Sequence, residues 1–279
     1  MYKSGNTTLQ GMLTLASLAV PAPHAPTALA DGGQPRVIDG GHPVINLGLP
    51  KSGSSSVADF FQCVGLRTSH HGCKTSDTEN LGPCGICAKR NDETGHPLLL
   101  GCGEYDVWAQ MDVDGEIGRQ EGQMECFLPQ VTRLSELHEQ YPNALFVLPT
   151  RPADHWVASV NNWKDLHKRL FQCGLPGLNL VDNPSDEAQD DLLKQFYFNH
   201  TLSVREFMAT QSSAFIEFDI EEKEELVGAQ LADATGLSAS CWGQSNCKRS
   251  CDFWQEMEAL RKEAEHLDRD PHGSDVVLG

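Results

Sequence analysis

Short apolar runs alternate with amphipathic stretches through the middle of the chain. Residues 44–49 (VINLGL) form such a run, which is followed by a Gly/Ser cluster and by apolar residues at helical spacing up to Gly65. The same order recurs after residues 144–148 (ALFVL) and 214–220 (AFIEFDI). Strands that alternate with helices predict right-handed βαβ crossovers. The sequence therefore indicates an α/β fold, in which a P-loop-type parallel sheet carries helices on both faces of a single domain.

The two ends of the chain lack this pattern. Residues 1–42 are rich in Gly, Pro and Ala and predict a leader or linker, while residues 252–279 predict an acidic helical tail. The domain is expected to span residues 43–251, with a Cys-rich loop at residues 72–103. The first thirty residues fit a cleaved signal peptide and an unfolded leader equally well. No stretch approaches the roughly 20 apolar residues that cross a bilayer, so we expect no membrane span.

The net charge of the chain disfavours one class of partner, nucleic acids. Its 39 acidic and 21 basic residues give a net charge of −18. This argues against a nucleic-acid partner, because phosphate backbones are bound by clustered basic residues. Any anionic ligand must be held by a local basic site. We interpret the acidic runs at residues 219–225 and 256–270 as solvated surface.

The first candidate site follows the first predicted strand and has the sequence LPKSGSSS. Its candidate anion-binding residues are Lys51, Ser52, Gly53, Ser54, Ser55 and Ser56. A loop that opens a helix can point backbone N–H groups at a phosphate, and glycine permits close approach. A Walker A loop has its Lys directly after the last Gly, whereas Lys51 precedes Gly53, so a Mg-dependent nucleotide hydrolase is disfavoured. The alternative is an ordinary Gly/Ser turn.

The second candidate site follows residues 144–148, whose continuous apolar character predicts a strand buried on both faces. Arg151 comes at its carboxyl end, where open α/β sheets bind ligands, and Ser159 follows about two helical turns later. An Arg fork and a Ser hydroxyl can hold one phosphate together. The alternative for Arg151 is an ion pair with Asp154 at the start of the next helix.

In combination, the two motifs resemble the sulfotransferase superfamily. Its members carry a Pro-Lys-x-Gly-(Thr/Ser)-(Thr/Ser) loop, similar to residues 50–55, which binds the 5′-phosphosulfate of 3′-phosphoadenosine 5′-phosphosulfate (PAPS). They also carry an Arg and, eight residues later, a Ser that bind its 3′-phosphate, as Arg151 and Ser159 are placed to do. Residues 105–108, 141–144 and 241–246 are similar to divergent algal and bacterial members. The resemblance covers roughly residues 43 to 247.

The resemblance implies an enzyme that moves a sulfuryl group from PAPS to a hydroxyl or amine of a small molecule or glycan, without a metal. Two departures leave the adenine contact unassigned. Many cytosolic members have a Trp after the loop, where this chain has Ser56 and Val57, and they have a late Arg-Lys-Gly loop that is missing here. Lys248 and Arg249 are either a substitute for that loop or a solvated pair.

The general base is expected among three residues. Superfamily members place an acid or imidazole near the position of His70, His71 or Asp106. Because strand side chains alternate faces, at most one of the two histidines points at the sulfur. We expect His70, with Asp106 as the second candidate, and Lys51 as the residue that stabilises charge on the leaving phosphate.

The cysteines leave two interpretations open. Cys73, Cys84, Cys87 and Cys102 fit structural disulfides or a zinc site, and Cys241, Cys247 and Cys251 form a second group. Disulfides are favoured if the chain enters a secretory or Golgi lumen or is secreted, and a cytoplasmic location is the alternative.

Two rival functions belong to other classes. A P-loop kinase would need a Walker A Lys and a Mg-binding acid, neither of which is found. A Cys-rich binding protein on the same scaffold would not bind PAPS.

Overall fold

The computed structural model describes residues 42–74, 80–117, 124–178 and 185–243. The acidic tail, the predicted leader up to residue 41, and the residues Cys247, Lys248, Arg249 and Cys251 lie outside these ranges.

The strands within the described ranges are short. They are β1 (Val44–Asn46), β2 (Thr68–Ser69), β3 (Gly72–Lys74), β4 (Asn80–Pro83), β5 (Val107–Trp108), β6 (Val113–Ile117), β7 (Met124–Phe127), β8 (Leu145–Thr150) and β9 (Phe215–Asp219). Five of them form a sheet in the order β2-β5-β1-β8-β9. All neighbours in this sheet are parallel, whereas β3–β4 and β6–β7 are separate antiparallel pairs. The predicted parallel sheet of an α/β domain is confirmed.

Helices cover both faces of this sheet. They are α1 (Ser54–Cys63), α2 (Cys84–Thr94), α3 (Pro129–Thr132), α4 (Leu134–Gln140), α5 (Ala153–Asn161), α6 (Leu166–Gln172), α7 (Asp186–Met208) and α8 (Glu224–Thr235), followed by a 3₁₀ turn at Ala239–Cys241. Side chains alternate along β8, so that Leu145 and Val147 join a core with α1 and α8, while Phe146 and Leu148 join a core with α4 and α7. Burial on both faces explains the continuous apolar run of this strand.

Three elements differ from the sequence-based expectation. Residues 72–103 were expected to be a loop, but they contain α2 and the β3–β4 pair. Apolar residues at helical spacing predict one helix over residues 131–141, but the structure interrupts it at Arg133, whose φ of −140° is not helical. The sequence pattern does not predict helix α6.

Disulfides join the cysteines of the described ranges. The pairs are Cys63–Cys241, Cys73–Cys84, Cys87–Cys102 and Cys126–Cys173. The preference for disulfides in the Cys-rich loop is confirmed, whereas Cys241 pairs with the end of α1 and not within the group suggested by its spacing. Four disulfides are typical of proteins that fold in an oxidising compartment.

Among the described residues, none of the helices combines the length and apolar composition that a bilayer crossing requires.

Candidate active site

The carboxyl edge of the sheet gathers the two predicted sites. β1 leads into residues 47–53, here named the β1–α1 loop, while β8 leads into Arg151 and β9 into Ile220 and Glu221. Because these strands are parallel neighbours, the residues that follow them meet at one edge. The Ile220 amide donates to the Thr150 carbonyl at 2.9 Å, which fixes the ends of β8 and β9 side by side.

Buried side chains hold the β1–α1 loop from beneath. The indole of Trp156, fully buried in the core, donates to the Pro50 carbonyl at 2.8 Å. The ring of His200 donates to the Leu47 carbonyl at 2.8 Å. Burial lowers the pKa of His200 to about 4, so the ring is neutral at physiological pH and can donate one N–H. The conformation of this loop is therefore set by the fold itself.

Gly53 connects the loop to α1. Its φ is +99°, and a Cβ at this position would lie 2.8 Å from Cγ2 of Ile220. Both facts require glycine, because other residues avoid this backbone region and real Cβ atoms do not approach so closely. The end of β9 thus packs directly against the loop.

The amino end of α1 is suited to an anion. Within the described residues no side chain caps it, and its first turn contains no acidic residue. The first bond of the helix runs from the Val57 amide to the Gly53 carbonyl at 3.0 Å, so the amides of Ser54 and Ser55 have no acceptor within the helix. Uncapped amides and the positive end of the helix dipole favour a negative ligand.

The serines of this region differ in their accessibility. Ser52 and Ser56 are buried, and the Ser52 amide bonds to a carbonyl within the loop at 3.0 Å. Ser54 and Ser55 are half-buried, and each hydroxyl lies 3.3 Å from Nε2 of His70. Ser54 and Ser55 are therefore the hydroxyls that a bound anion can reach.

Lys51 supplies the positive charge of the loop. Its backbone is left-handed, with φ of 72°, and its Nζ lies 3.8 Å from the ring centroid of Trp163. Burial, followed by the charge of Arg151, lowers the pKa of Lys51. The Trp163 side chain is 48% exposed, so the ring is available to a ligand as well as to the ammonium group.

His70 lies beyond the end of β2, and the structure brings it to the loop. Although its side chain is exposed overall, the residues around the ring partly desolvate it. This desolvation, followed by the charge of His71, lowers the pKa of His70. A neutral imidazole next to Ser54 and Ser55 can accept a proton.

A buried polar network lies on the other side of Ser54. The Ser54 hydroxyl donates to Gln110 at 3.4 Å, and the Gln110 amide donates to Asp112 at 3.0 Å. The Gln130 amide donates to the second oxygen of Asp112 at 2.7 Å. Burial, and then the charge of Asp114, raises the pKa of Asp112 to about 6. Asp112 is a further candidate proton acceptor, because a shifted pKa at a ligand-binding edge is typical of functional carboxyls.

Arg151 reaches the same edge but is already bonded. Its Nε donates to Glu221 Oε1 at 2.8 Å, its Nη2 contacts the same oxygen, and its Nη1 donates to the Lys51 carbonyl at 3.3 Å. The His155 ring contacts the other carboxylate oxygen of Glu221. Asp154, the partner considered from the sequence, instead pairs with a lysine of α7.

Ser159 lies on α5, four residues after His155. Residues at this spacing share one face of a helix, so Ser159 and His155 face the same side. Ser159 is half-buried. Its placement is compatible with a ligand that also contacts Arg151.

Asp106 is not brought to this edge. It precedes β5, so it lies at the amino end of the sheet, where its carbonyl accepts the Val44 amide at 2.9 Å. Its carboxylate accepts the backbone amide of Arg67 at 2.9 Å and forms an ion pair with the Arg67 guanidinium. We therefore assign Asp106 no part in the chemistry.

Three residues of the site were missed by sequence reasoning. Asp112 and Glu221 both follow the ends of parallel strands, which is the same signal that pointed to Arg151. Glu221 belongs to the acidic run 219–225 that was interpreted as solvated surface, but it is half-buried and ion-paired. Trp163 carries no such signal, since it follows α5 in an irregular turn.

Comparisons with known proteins agree with this geometry. Residues 43–175, which contain the β1–α1 loop, Arg151 and Ser159, match a family model described as a sulfotransferase domain. A comparison with curated proteins found no match. The parallel sheet with helices on both faces defines a domain of the α/β class. The match to the family model supports a sulfotransferase superfamily assignment for residues 43–175.

Proposed function

We propose that the chain transfers a sulfuryl group from PAPS to a hydroxyl or amine of a small molecule or glycan. The observation that carries this proposal is the uncapped amino end of α1 beside Lys51. Neutral ligands gain little from such a site, whereas a phosphosulfate offers several anionic oxygens.

The donor set fits the two ends of PAPS unequally. The amides and hydroxyls of Ser54 and Ser55, with Lys51 and Gly53, suit the 5′-phosphosulfate. Buried Ser52 and Ser56 support the shape of the loop. Arg151 and Ser159 suit the 3′-phosphate, although Arg151 must exchange its contact with Glu221 for one with the ligand.

The chain's own residues would act at three points. PAPS supplies an activated sulfuryl group whose S–O bond to the phosphate breaks as the acceptor oxygen or nitrogen bonds to sulfur. Lys51 stabilises the negative charge that develops on the leaving phosphate. His70 takes the acceptor proton, with Asp112 as its rival for this role. Trp163 fixes Lys51 at the mouth of the loop through a cation–π contact.

The four disulfides support a working location in an oxidising compartment, and we propose the secretory pathway, either the Golgi lumen or the extracellular space.

A thermal-shift titration tests the proposal. A ligand that binds only the native state at 100 times its Kd stabilises it by about 2.7 kcal/mol, so 3′-phosphoadenosine 5′-phosphate (PAP) should raise the melting temperature. ATP with Mg²⁺ serves as the comparison, because a larger shift with ATP would favour a kinase. No shift with any adenine nucleotide would favour a non-catalytic binding protein. Incubation with labelled PAPS and a panel of glycans and small alcohols then identifies the acceptor.

A further inference from the structure

The guanidinium of Arg151 is engaged on every nitrogen by the protein itself. Nε and Nη2 both contact Oε1 of Glu221, and Nη1 donates to the Lys51 carbonyl. The side chains of Arg151 and Glu221 are only 14% and 24% exposed. Such shielding distinguishes this ion pair from an exposed one, whose contribution is small.

Glu221 is itself fixed from two sides. Its amide donates to the Asp219 carboxylate at 2.8 Å, and its second carboxylate oxygen contacts His155. The carboxylate is therefore held against the guanidinium and is not a passing surface contact.

Arg151 does not need Glu221 for its backbone position. The Arg151 amide donates to the Tyr197 hydroxyl at 2.9 Å, and this hydroxyl in turn donates to the Arg151 carbonyl at 3.1 Å. The contact with Glu221 thus acts on the charged end of the side chain, which is the part that a phosphate would bind.

A carboxylate and a phosphate compete for the same guanidinium, because the anionic oxygens of each accept hydrogen bonds from its N–H groups. We propose that Glu221 is an internal competitor for the 3′-phosphate of the nucleotide and thereby sets how strongly this site discriminates PAPS from adenosine nucleotides that lack that phosphate. This inference rests on the proposed function. It makes Glu221 a specificity-determining residue of the donor site.

Calorimetric titration of the full chain with PAP and with adenosine 5′-phosphate tests this inference. Glu221→Gln keeps the shape of the side chain and removes its charge, so the affinity for PAP should rise about tenfold while the affinity for adenosine 5′-phosphate stays within about twofold. The matched control is Glu222→Gln, which removes the same charge one residue away. Glu222 is exposed and its carboxylate accepts the Lys223 amide at 2.9 Å, so both affinities should change by less than about twofold in this control.

Other outcomes overturn the inference. A weaker affinity of Glu221→Gln for PAP would mean that Glu221 positions Arg151 for the phosphate. Equal gains for both nucleotides, or equal gains in both variants, would mean a general charge effect. If the wild type binds both nucleotides and Glu221→Gln changes neither affinity, the proposed function stands and only this inference fails. If no variant binds either nucleotide, both fail.

Discussion

The two halves of the proposed donor site, the β1–α1 loop and the surroundings of Arg151, differ in the contacts that their binding groups already make. On one side, the β1–α1 loop is locked by Trp156 and His200 while the amides at the start of α1 have no cap among the described residues. On the other side, Arg151 is as firmly placed, but Glu221 already satisfies its guanidinium. The β1–α1 loop thus has amides that are available to an anion, whereas the guanidinium of Arg151 is already paired with the carboxylate of Glu221.

This difference shows that a motif residue can have the expected position and yet have its binding groups occupied by another residue of the protein. Both halves match the spacing of the superfamily motifs, so Lys51 and Arg151 both lie where the proposed function requires them. Under the proposed function, binding of a phosphate at Arg151 would replace the contact with Glu221. Binding of a phosphate at the β1–α1 loop would add bonds to amides that have no acceptor within helix α1.

The largest effect is expected at the β1–α1 loop. Lys51→Ala should lower kcat about 10³-fold with an unchanged melting temperature, because it removes charge stabilisation in the transition state. Lys164→Ala is the control, because Lys164 Nζ also lies near Trp163, at 5.6 Å from the ring centroid, without a proposed role. Steady-state kinetics with PAPS measures both variants, and an active Lys51→Ala enzyme would remove the loop from the mechanism.

At the other half, Arg151→Ala should raise the KM for PAPS and change kcat little, since the 3′-phosphate is remote from sulfur. The same steady-state kinetics measures this variant.

The next effect concerns the base. His70→Asn should lower kcat about 10²-fold, because a positioned base contributes on that order. The pKa of His70 is lowered, so the neutral base persists below the ordinary value near 6.5 and activity should fall only as the pH drops further. His70→Asn should lose this acid limb.

The neighbouring histidine is the control for that test. His71→Asn should keep both turnover and the acid limb, since Asn tolerates the left-handed backbone at this position, where φ is 58°. If Asp112→Asn abolishes turnover while His70→Asn retains it, the proton acceptor is Asp112.

Neutralising Asp112 and neutralising Glu221 should change the free energy of unfolding in opposite directions. The folded-state pKa of Asp112, about 6, exceeds the ordinary value of 3.8, so the native state binds this proton more tightly and loses stability as the pH rises from about 4 to 6. Asp112→Asn stays neutral and should be more stable than the wild type at pH 7.5 by about 3 kcal/mol, with no advantage at pH 4. Glu221→Gln should be less stable, because it loses the ion pair with Arg151. Urea unfolding at both pH values measures both; a destabilised Asp112→Asn at pH 7.5 would contradict this assignment.

The smallest effect is expected at Gly53, where backbone strain and a steric clash can be distinguished by comparison with Gly65. Gly53→Ala should weaken PAP binding about tenfold and lower the melting temperature, because φ is positive and the new Cβ meets Ile220. Gly65→Ala has a similar φ of 85° but open space around its Cβ, so it should lower the melting temperature less and leave PAP affinity unchanged. Equal effects of the two substitutions would show that contact with β9 does not shape the loop.

The sequence predicts the sheet and the position of both motifs because these depend on local patterns. The apolar run of β8 and the loop around Gly53 are each contained in a few consecutive residues. The pairing of Arg151 with Glu221 crosses 70 residues and depends on strand order, which the pattern does not specify. Disulfide partners are equally hidden, as the Cys63–Cys241 bridge shows, because spacing does not determine connectivity. Helix α2 was missed since its first turn contains Cys and Gly, which are weak helix formers, while two disulfides secure it.

The contact between Gly53 and Ile220 also determines when the candidate site can be completed as the chain is synthesised. The β1–α1 loop is synthesised early, but Ile220, which contacts it, and Glu221, which pairs with Arg151, directly follow β9, the last of the described strands. A chain stopped before β9 would hold all the motif residues without the neighbours that shape them. Such distant contacts slow folding, because the intervening chain must be ordered first. The Cys63–Cys241 bridge, which spans 178 residues, then ties the end of α1 to the last part of the domain to arrive.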